Sequence, residues 1–276
     1  MPVMNTTFVK TLPDAQLLEV VVSIARKASA AIMNVYAGKF TVDHKSDDSP
    51  LTQADRAAHT VITNELRTLT PDIPVLSEES PPECHDYSVR QQWTQFWLVD
   101  PLDGTREFIQ RNGEFTVNIA LVKQHQPVLG VIAIPASDVI YSGAIGLGAQ
   151  RITGHQGAVS ITTRKAASVP VVVGSRSHSG DSLNLFLNRL GSYQLSSVGS
   201  ALKFCRVAEG SADCYPRLSP TSEWDTGAGQ ALVEAAGGAV FEVSGEVLTY
   251  NRRESLLNPH FVVVGDRQFA WRHLIG

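Results

Sequence analysis

Asp100 and Asp103 fall within the run Phe96-Trp97-Leu98-Val99-Asp100-Pro101-Leu102-Asp103-Gly104-Thr105. Two carboxylates at that spacing, beside a glycine turn, suit divalent cations and a phosphate together. The residues from Phe96 are mostly apolar and end in an acid, the pattern of a buried strand, and Pro101 is expected to stop its ladder. Both acids then stand at a strand's carboxyl end, where open α/β sheets place their chemistry. Gly104 and Thr105 permit a tight turn into a helix start whose free amides face an anion. Pro-x-Asp-Gly is also a common turn sequence with no chemistry attached, so other parts of the chain must decide.

Four further acids are candidates. Glu78 and Glu79 follow the short apolar run Ile73–Ser77. Adjacent acids usually mark a solvated turn, but two strand ends lying side by side would set Glu78 against Asp100. Asp55 comes three residues after Thr52, the spacing of a capping box in which the acid bonds back to the cap amide. Asp225 opens a helical stretch that runs through Leu232 and Val233 to Gly237-Gly238, and an Asp there is ordinarily an N-cap.

Asp100–Thr105 resembles the DPxDGT signature of the lithium-sensitive, magnesium-dependent phosphatases of the inositol monophosphatase superfamily. Pro50-Leu51-Thr52-Gln53-Ala54-Asp55 and Glu78-Glu79-Ser80 resemble further segments of that family. Trp224–Gly229 resembles its WDxAAG element, with Gly227 where Ala is usual. Ser175-Arg176-Ser177-His178, Gly199–Phe204, Tyr215-Pro216-Arg217 and the stretch 251–259 resemble the nucleotide-side segments of the CysQ-type 3'(2'),5'-bisphosphate nucleotidases. The resemblance covers the chain from about Leu17 onward.

The resemblance implies an α/β (α+β) fold, a layered αβαβα sandwich, with two or more Mg²⁺ ions per site. Glu78, Asp100 and the Leu102 carbonyl are implied for one ion, and Asp100, Asp103 and Asp225 for another, with Glu79 supporting Glu78 from behind. Asp55 would polarise Thr105, which would orient or deprotonate the attacking water; a carboxylate in a capping box can do this only with one oxygen left over. Gly104 and Thr105 amides would receive the phosphate, alongside Glu78, Leu102, Asp103 and Asp225 as substrate contacts. His178 would stack on adenine, Ser200 would bond it, Lys203 and Arg217 would pair with the non-scissile phosphate, and Arg253 would help anchor the tail. Taken singly, His178 in a polar loop and Lys203 on a helix face read as ordinary surface.

The implied reaction removes the 3'-phosphate of adenosine 3',5'-bisphosphate to give AMP, and extends to its sulfated precursor. The alternatives are an inositol monophosphatase of the same fold, a sugar bisphosphatase with a different basic pocket, and a protein that binds the nucleotide without hydrolysing it.

The elements that must position these residues are legible from periodicity. Leu17, Leu18, Val21, Ile24, Ala28, Ala31, Ile32 and Val35 recur at helical spacing before Gly38, and a second helix from Thr52 is expected to bury Ala58, Val61, Ile62, Leu66 and Leu69 before Pro71. Pro81–Asp86 is rich in breakers and reads as a loop. Strands are expected over 116–122, 128–134 and 139–142, and Gly143, Gly146 and Gly148 belong to a hairpin, since their spacing is not that of a dinucleotide loop. After Thr162–Val169 the pattern turns to strand and helix alternation, which divides the chain into an N-terminal α+β metal-binding lobe (1–165) and a C-terminal α/β nucleotide-side lobe (166–276).

At 276 residues and 43% hydrophobic, the chain can bury a sizeable core. Net charge −4 gives no basic surface of the kind that grips nucleic acid polymers. Cys84, Cys205 and Cys214 show no CxxC spacing and fit free thiols in a reducing, cytoplasmic setting. No basic segment with an apolar core marks a signal peptide, and no apolar run is long enough to span a membrane. Peripheral attachment to the inner face of the cell membrane and the oligomeric state stay open.

Overall fold

Alternation along Phe96-Trp97-Leu98-Val99 gives one strand two apolar faces, so its sheet must be covered on both sides. In the computed structural model, which describes residues 15–44, 50–174 and 181–275, Trp97 and Val99 join one core cluster while Phe96 and Leu98 join another. A sandwich with a sheet at its centre follows.

In chain order the elements are α1 (Ala15–Tyr36), β1 (Val42–His44), β2 (Pro50–Thr52), α2 (Gln53–Leu69), β3 (Val75–Ser77), α3 (Pro82–His85), α4 (Tyr87–Arg90), β4 (Gln95–Asp103) and α5 (Thr105–Ile109). Then come β5 (Thr116–Lys123), β6 (Gln126–Ile134), β7 (Val139–Ala144), β8 (Gly148–Thr153) and β9 (Val159–Ile161). The remainder is β10 (Val171–Gly174), α6 (Asp181–Leu190), β11 (Gln194–Ser197), α7 (Leu202–Ala208), β12 (Cys214–Arg217), α8 (Gly227–Ala235), β13 (Ala239–Glu242) and β14 (Phe261–Val264).

A seven-stranded sheet runs β3-β4-β5-β6-β7-β8-β9, parallel only between β3 and β4. A five-stranded sheet runs β11-β10-β12-β14-β13, with β10 parallel to β11 and β12. The described strands change sheet between Ile161 and Val171. Leu18, Val21, Ile24 and Ile32 of α1 and Ala58, Ile62 and Leu66 of α2 cover one face of the large sheet. Its other face shares a core with α7, α8 and Val173, Tyr215, Phe261 and Val263 of the small sheet. Outside that sheet, Leu183, Phe186 and Leu187 of α6 pack with Val172, Cys214, Val262 and Trp271. The order of layers is therefore αβαβα, as the resemblance implies.

The close seating of α8 depends on small residues. A Cβ on Gly130 of β6 would lie 2.3 Å from the Ala228 carbonyl oxygen, a distance no real side chain tolerates. Helix and sheet thus touch backbone to backbone here.

Two local expectations change. Pro101 does not end β4: pairing to β5 runs to Asp100↔Asn118, breaks, and resumes at Asp103↔Thr116, an irregularity that spares the missing proline amide from the ladder. The breaker-rich segment after Ser80 is not all loop, because Pro82 opens α3 and Asp86 caps α4 by accepting from the Ser88 amide at 2.9 Å. Proline at a first helical position forfeits no bond.

Candidate active site

The break in β4 pairing builds the floor of the site. Leu102 donates its amide to Asp100 Oδ1 at 3.0 Å, which folds Pro101 and Leu102 into a turn and brings Asp103 back beside Asp100. Gly104 then takes φ +88°, the left-handed region open to glycine, and starts α5 at Thr105. Oxygen atoms of Asp100, Asp103 and Asp225 lie within 4.8 Å of one another. Ser77 pairs in register with Val99, and the Glu78 amide donates to the Val99 carbonyl at 3.1 Å. Glu78 is therefore the strand-end neighbour of Asp100 that the sequence suggested, and its charge acts on Asp225.

Asp55 serves two masters, one with each oxygen. Its Oδ2 accepts the Thr52 amide at 2.8 Å and the Thr52 hydroxyl at 2.6 Å, completing the cap of α2. Its Oδ1 accepts the Thr105 hydroxyl at 3.2 Å, and Thr105 Oγ1 also lies 3.4 Å from the Leu102 carbonyl. The cap of α2 and the bond to Thr105 thus coexist, one on each oxygen. Burial raises its carboxyl above the usual range against the pull of the Thr52 bonds.

Asp225 closes the acidic cluster from the second sheet's side. It ends a single 3-10 turn, Glu223–Asp225, and its Oδ2 accepts the Ser222 amide at 2.9 Å. The acid caps backward onto Ser222 instead of starting α8. Desolvation, then the charges of Asp103 and Glu78, push its carboxyl up to about 8. The adjacent Glu223 is fully buried and was not singled out by sequence. It accepts the Asn251 amide at 2.9 and 3.0 Å, and burial pushes its carboxyl up to about 7. Asn251 in turn binds the buried Arg90, accepting from Nη1 at 2.7 Å and donating to the Arg90 carbonyl at 2.6 Å. Arg90 also donates to the Arg253 and Glu254 carbonyls. The Glu beside the Trp-Asp pair was the one signal available for this network.

Cations share the cavity with the acids. A cavity of about 120 Å³ is lined by Asp103, Glu107 and Asp225 together with Lys203, Arg217 and Arg106. Lys203 is not surface: it is 5% exposed, sits 5.5 Å from the Tyr215 ring centroid, and donates to the Ser200 carbonyl at 2.6 Å. Burial pushes its amine down to about 8, with the charge of Asp103 opposing. Arg217 is held by the carbonyls of Ser219 and Pro220 at 3.2 and 2.7 Å. Ser200 donates its hydroxyl to Asp103 Oδ2 at 2.7 Å, where the sequence had suggested a base. His178 lies outside the described residues. Arg253 reaches Glu242 at 3.6 Å and the Thr249 carbonyl at 3.4 Å.

Carboxylates that converge, with one carboxyl forced upward by burial and then by the charges of its neighbours, form a donor set fit for a cation. The donors are all oxygen, with no His or Cys among them, which favours a hard divalent ion. No helix among the described residues is long and apolar enough to cross a membrane, and Cys84, Cys205 and Cys214 are free thiols.

Residues 14–270 match the profile described as Inositol monophosphatase family. The chain is 54% identical over 249 residues to the 3'(2'),5'-bisphosphate nucleotidase CysQ of Salmonella typhimurium, covering 90% of this chain and 99% of that protein. It is 52% identical, with the same coverage, to the CysQ of Escherichia coli strain K12. Among solved structures it is similar to CysQ from Bacteroides thetaiotaomicron, with TM-score 0.81 and 41% identity over 92% of this chain and 98% of that one. It is also similar to the extragenic suppressor protein suhB from Bartonella henselae, with TM-score 0.76 and 25% identity over 94% and 98%.

Proposed function

This chain belongs to the inositol monophosphatase family, and from that premise we propose that it hydrolyses the 3'-phosphate of adenosine 3',5'-bisphosphate to AMP and inorganic phosphate. One observation carries the choice of substrate: Lys203 and Arg217 line the same small cavity as Asp103 and Asp225. A monoester offers the acidic floor one phosphate and leaves those cations nothing to meet. A bisphosphate meets both sets of groups, with Arg217 pairing through its planar fork and Lys203 as a compact charge. The sulfated 5'-group of the precursor nucleotide is also anionic and suits the same cations.

Glu78, Asp100, the Leu102 carbonyl, Asp103 and Asp225 would hold two Mg²⁺ ions. Bound there, such ions supply a water of lowered pKa and offset charge on the leaving oxygen. The chain's own groups do the positioning. Thr105 Oγ1 donates to Asp55 Oδ1, so its lone pairs are turned toward the incoming water. Asp55, anchored through Oδ2, keeps that hydroxyl oriented and takes up the proton it releases. The amides of Gly104 and Thr105 would receive the phosphate oxygens.

The test is phosphate release by the purified protein in Mg²⁺ from a panel of phosphomonoesters. The bisphosphate nucleotide should exceed inositol 1-phosphate in kcat/KM by at least about 100-fold, since buried cations left unpaired penalise the smaller ester. A preference for inositol 1-phosphate would overturn the assignment. Nucleotide binding without any phosphate release would show a sequestering protein instead.

A further inference from the structure

We propose that Ser200, Thr116 and Asn118 are positioning residues for Asp103, so that the cation affinity of the acidic floor depends on a residue supplied from beside α7. The inference rests on the reading of Asp103 as a metal ligand and assigns Ser200 a role other than contact with the nucleotide base.

Ser200 sits at φ +51°, a conformation that costs a residue with a side chain about 1 kcal/mol or more. Glycine would occupy it freely, yet in Gly199-Ser200 the strained position falls on the serine. What the serine contributes is its hydroxyl. Ser200 Oγ lies 2.7 Å from Asp103 Oδ2, 3.0 Å from the Asp103 carbonyl and 2.6 Å from Thr116 Oγ1. A hydroxyl has one proton, and a carboxylate is the strongest acceptor among the three. Ser200 therefore donates to Asp103, and Thr116 is free to donate to Ser200 Oγ or to Asn118 Oδ1 at 3.0 Å. Asn118 Nδ2 reaches the same Asp103 Oδ2 at 3.5 Å.

The two side-chain bonds that reach the Asp103 carboxylate, from Ser200 and Asn118, both end on Oδ2. Among the described residues none engages Asp103 Oδ1, which leaves that atom to the cluster with Asp100 and Asp225. The donors are neutral and two of them are buried, Thr116 and Asn118 at 0% and 1% exposure. Neutral donors fix a carboxylate's orientation without cancelling its charge, the property required behind a metal ligand. Lys203 completes the grip by donating to the Ser200 carbonyl, so Ser200 is held at one end and holds Asp103 at the other.

The experiment titrates metal-stripped protein with Mn²⁺, counting the free ion by electron paramagnetic resonance without substrate. Ser200→Ala and Thr116→Val should weaken Mn²⁺ binding by about 10- to 100-fold, while Thr116→Ser, which keeps the hydroxyl, should stay near wild type. In turnover, the Mg²⁺ concentration for half-maximal rate should rise in parallel, with kcat restored and the nucleotide KM unchanged at saturating Mg²⁺. Wild-type Mn²⁺ affinity in Ser200→Ala together with a raised nucleotide KM would overturn the inference and return Ser200 to the substrate. Wild-type Mn²⁺ affinity in Asp103→Asn would instead sink the ligand reading beneath it. Should Thr116→Val fail to fold, Ser200→Ala, at a partly exposed turn, carries the test.

Discussion

Asp213 and Asp225 flank β12, and their carboxyls move in opposite directions. Asp213 is buried, and burial alone would raise it. Arg164 nonetheless bonds both of its oxygens at 2.9 and 2.7 Å, and the Val171 and Ala167 amides add two more bonds, so the carboxyl falls below its ordinary value. Asp225 has one amide, from Ser222, and two acids for neighbours, and it rises to about 8. The same side chain is a strut in one place and a poorly compensated acid in the other. What separates them is the partner in contact: Arg164 bonds Asp213, whereas no cation among the described residues bonds Asp225.

The sharpest way to break this contrast is to remove the poorly compensated acid. Asp225→Asn should lower kcat by about 10³-fold, given that metal ions contribute several kcal/mol of transition-state stabilisation and each 1.4 kcal/mol is tenfold. In EDTA the same variant should be more stable than wild type by on the order of 1 kcal/mol, about 2–4 °C in Tm. A variant less stable in EDTA would show that Asp225 is a strut after all. Asp100→Asn should behave alike in activity.

Removing the strut should do the reverse. Asp213→Ala leaves Arg164 unpaired and two amides unmet, and should cost about 3 kcal/mol by denaturant titration, while the Mg²⁺ dependence of turnover stays at wild type. The sign with pH follows from the lowered carboxyl: its contribution is fully present above the ordinary value of 3.8 and is lost as pH falls through the still lower folded-state value. The stability gap between wild type and Asp213→Ala should therefore be constant near pH 7 and close below about pH 4. A gap that widened in acid would contradict the assignment.

Thr105 tests the floor in a smaller way. Thr105→Val keeps the shape and removes the donor to Asp55, and should lower kcat by about 10²-fold, with Thr105→Ser close to wild type and the cap of α2 intact by circular dichroism. Equal activity in Val and Ser variants would remove Asp55 and Thr105 from the chemistry.

Much of this was readable before any coordinates, and the parts that were not share a cause. The strand β4 and the helices α1 and α2 follow from strong local signals, whereas the αβαβα layering and the meeting of Asp100, Asp103 and Asp225 were implied only by the motifs that resemble the family. For Asp55 the sequence posed the condition, one oxygen left over from the cap, but not whether that oxygen reaches Thr105, which depends on where α2 sits against β4. Lys203 looked like surface because its burial is set by Tyr215 and by the Ser200 carbonyl, which only tertiary structure brings to it. Thr116 and Asn118 looked like ordinary strand residues. Their side chains face Asp103 only because β4 and β5 resume pairing at Thr116 after the break, a register that no local pattern announces. Arg90, Glu223 and Asn251 are likewise joined across the chain.

The smallest effect concerns how Asp225 is seated, since no ion pair among the described residues holds it. Two residues on, Gly227 begins α8, and a Cβ there would lie 2.9 Å from Leu98 Cδ2 and 3.3 Å from Ala120 Cβ. An alanine, usual at this place in the family the motif resembles, would gain up to about 1 kcal/mol in helix propensity. Here it would also press α8 off the sheet unless Leu98 turned aside, and Asp225 would move with it. Gly227→Ala alone should therefore be neutral or slightly destabilising, whereas in a Leu98→Val background, which clears the contact, it should be stabilising. The coupling across the cycle should be about 1 kcal/mol. Additive changes would mean that Leu98 yields without cost and that packing behind Asp225 is slack, leaving the Ser222 amide as its chief restraint.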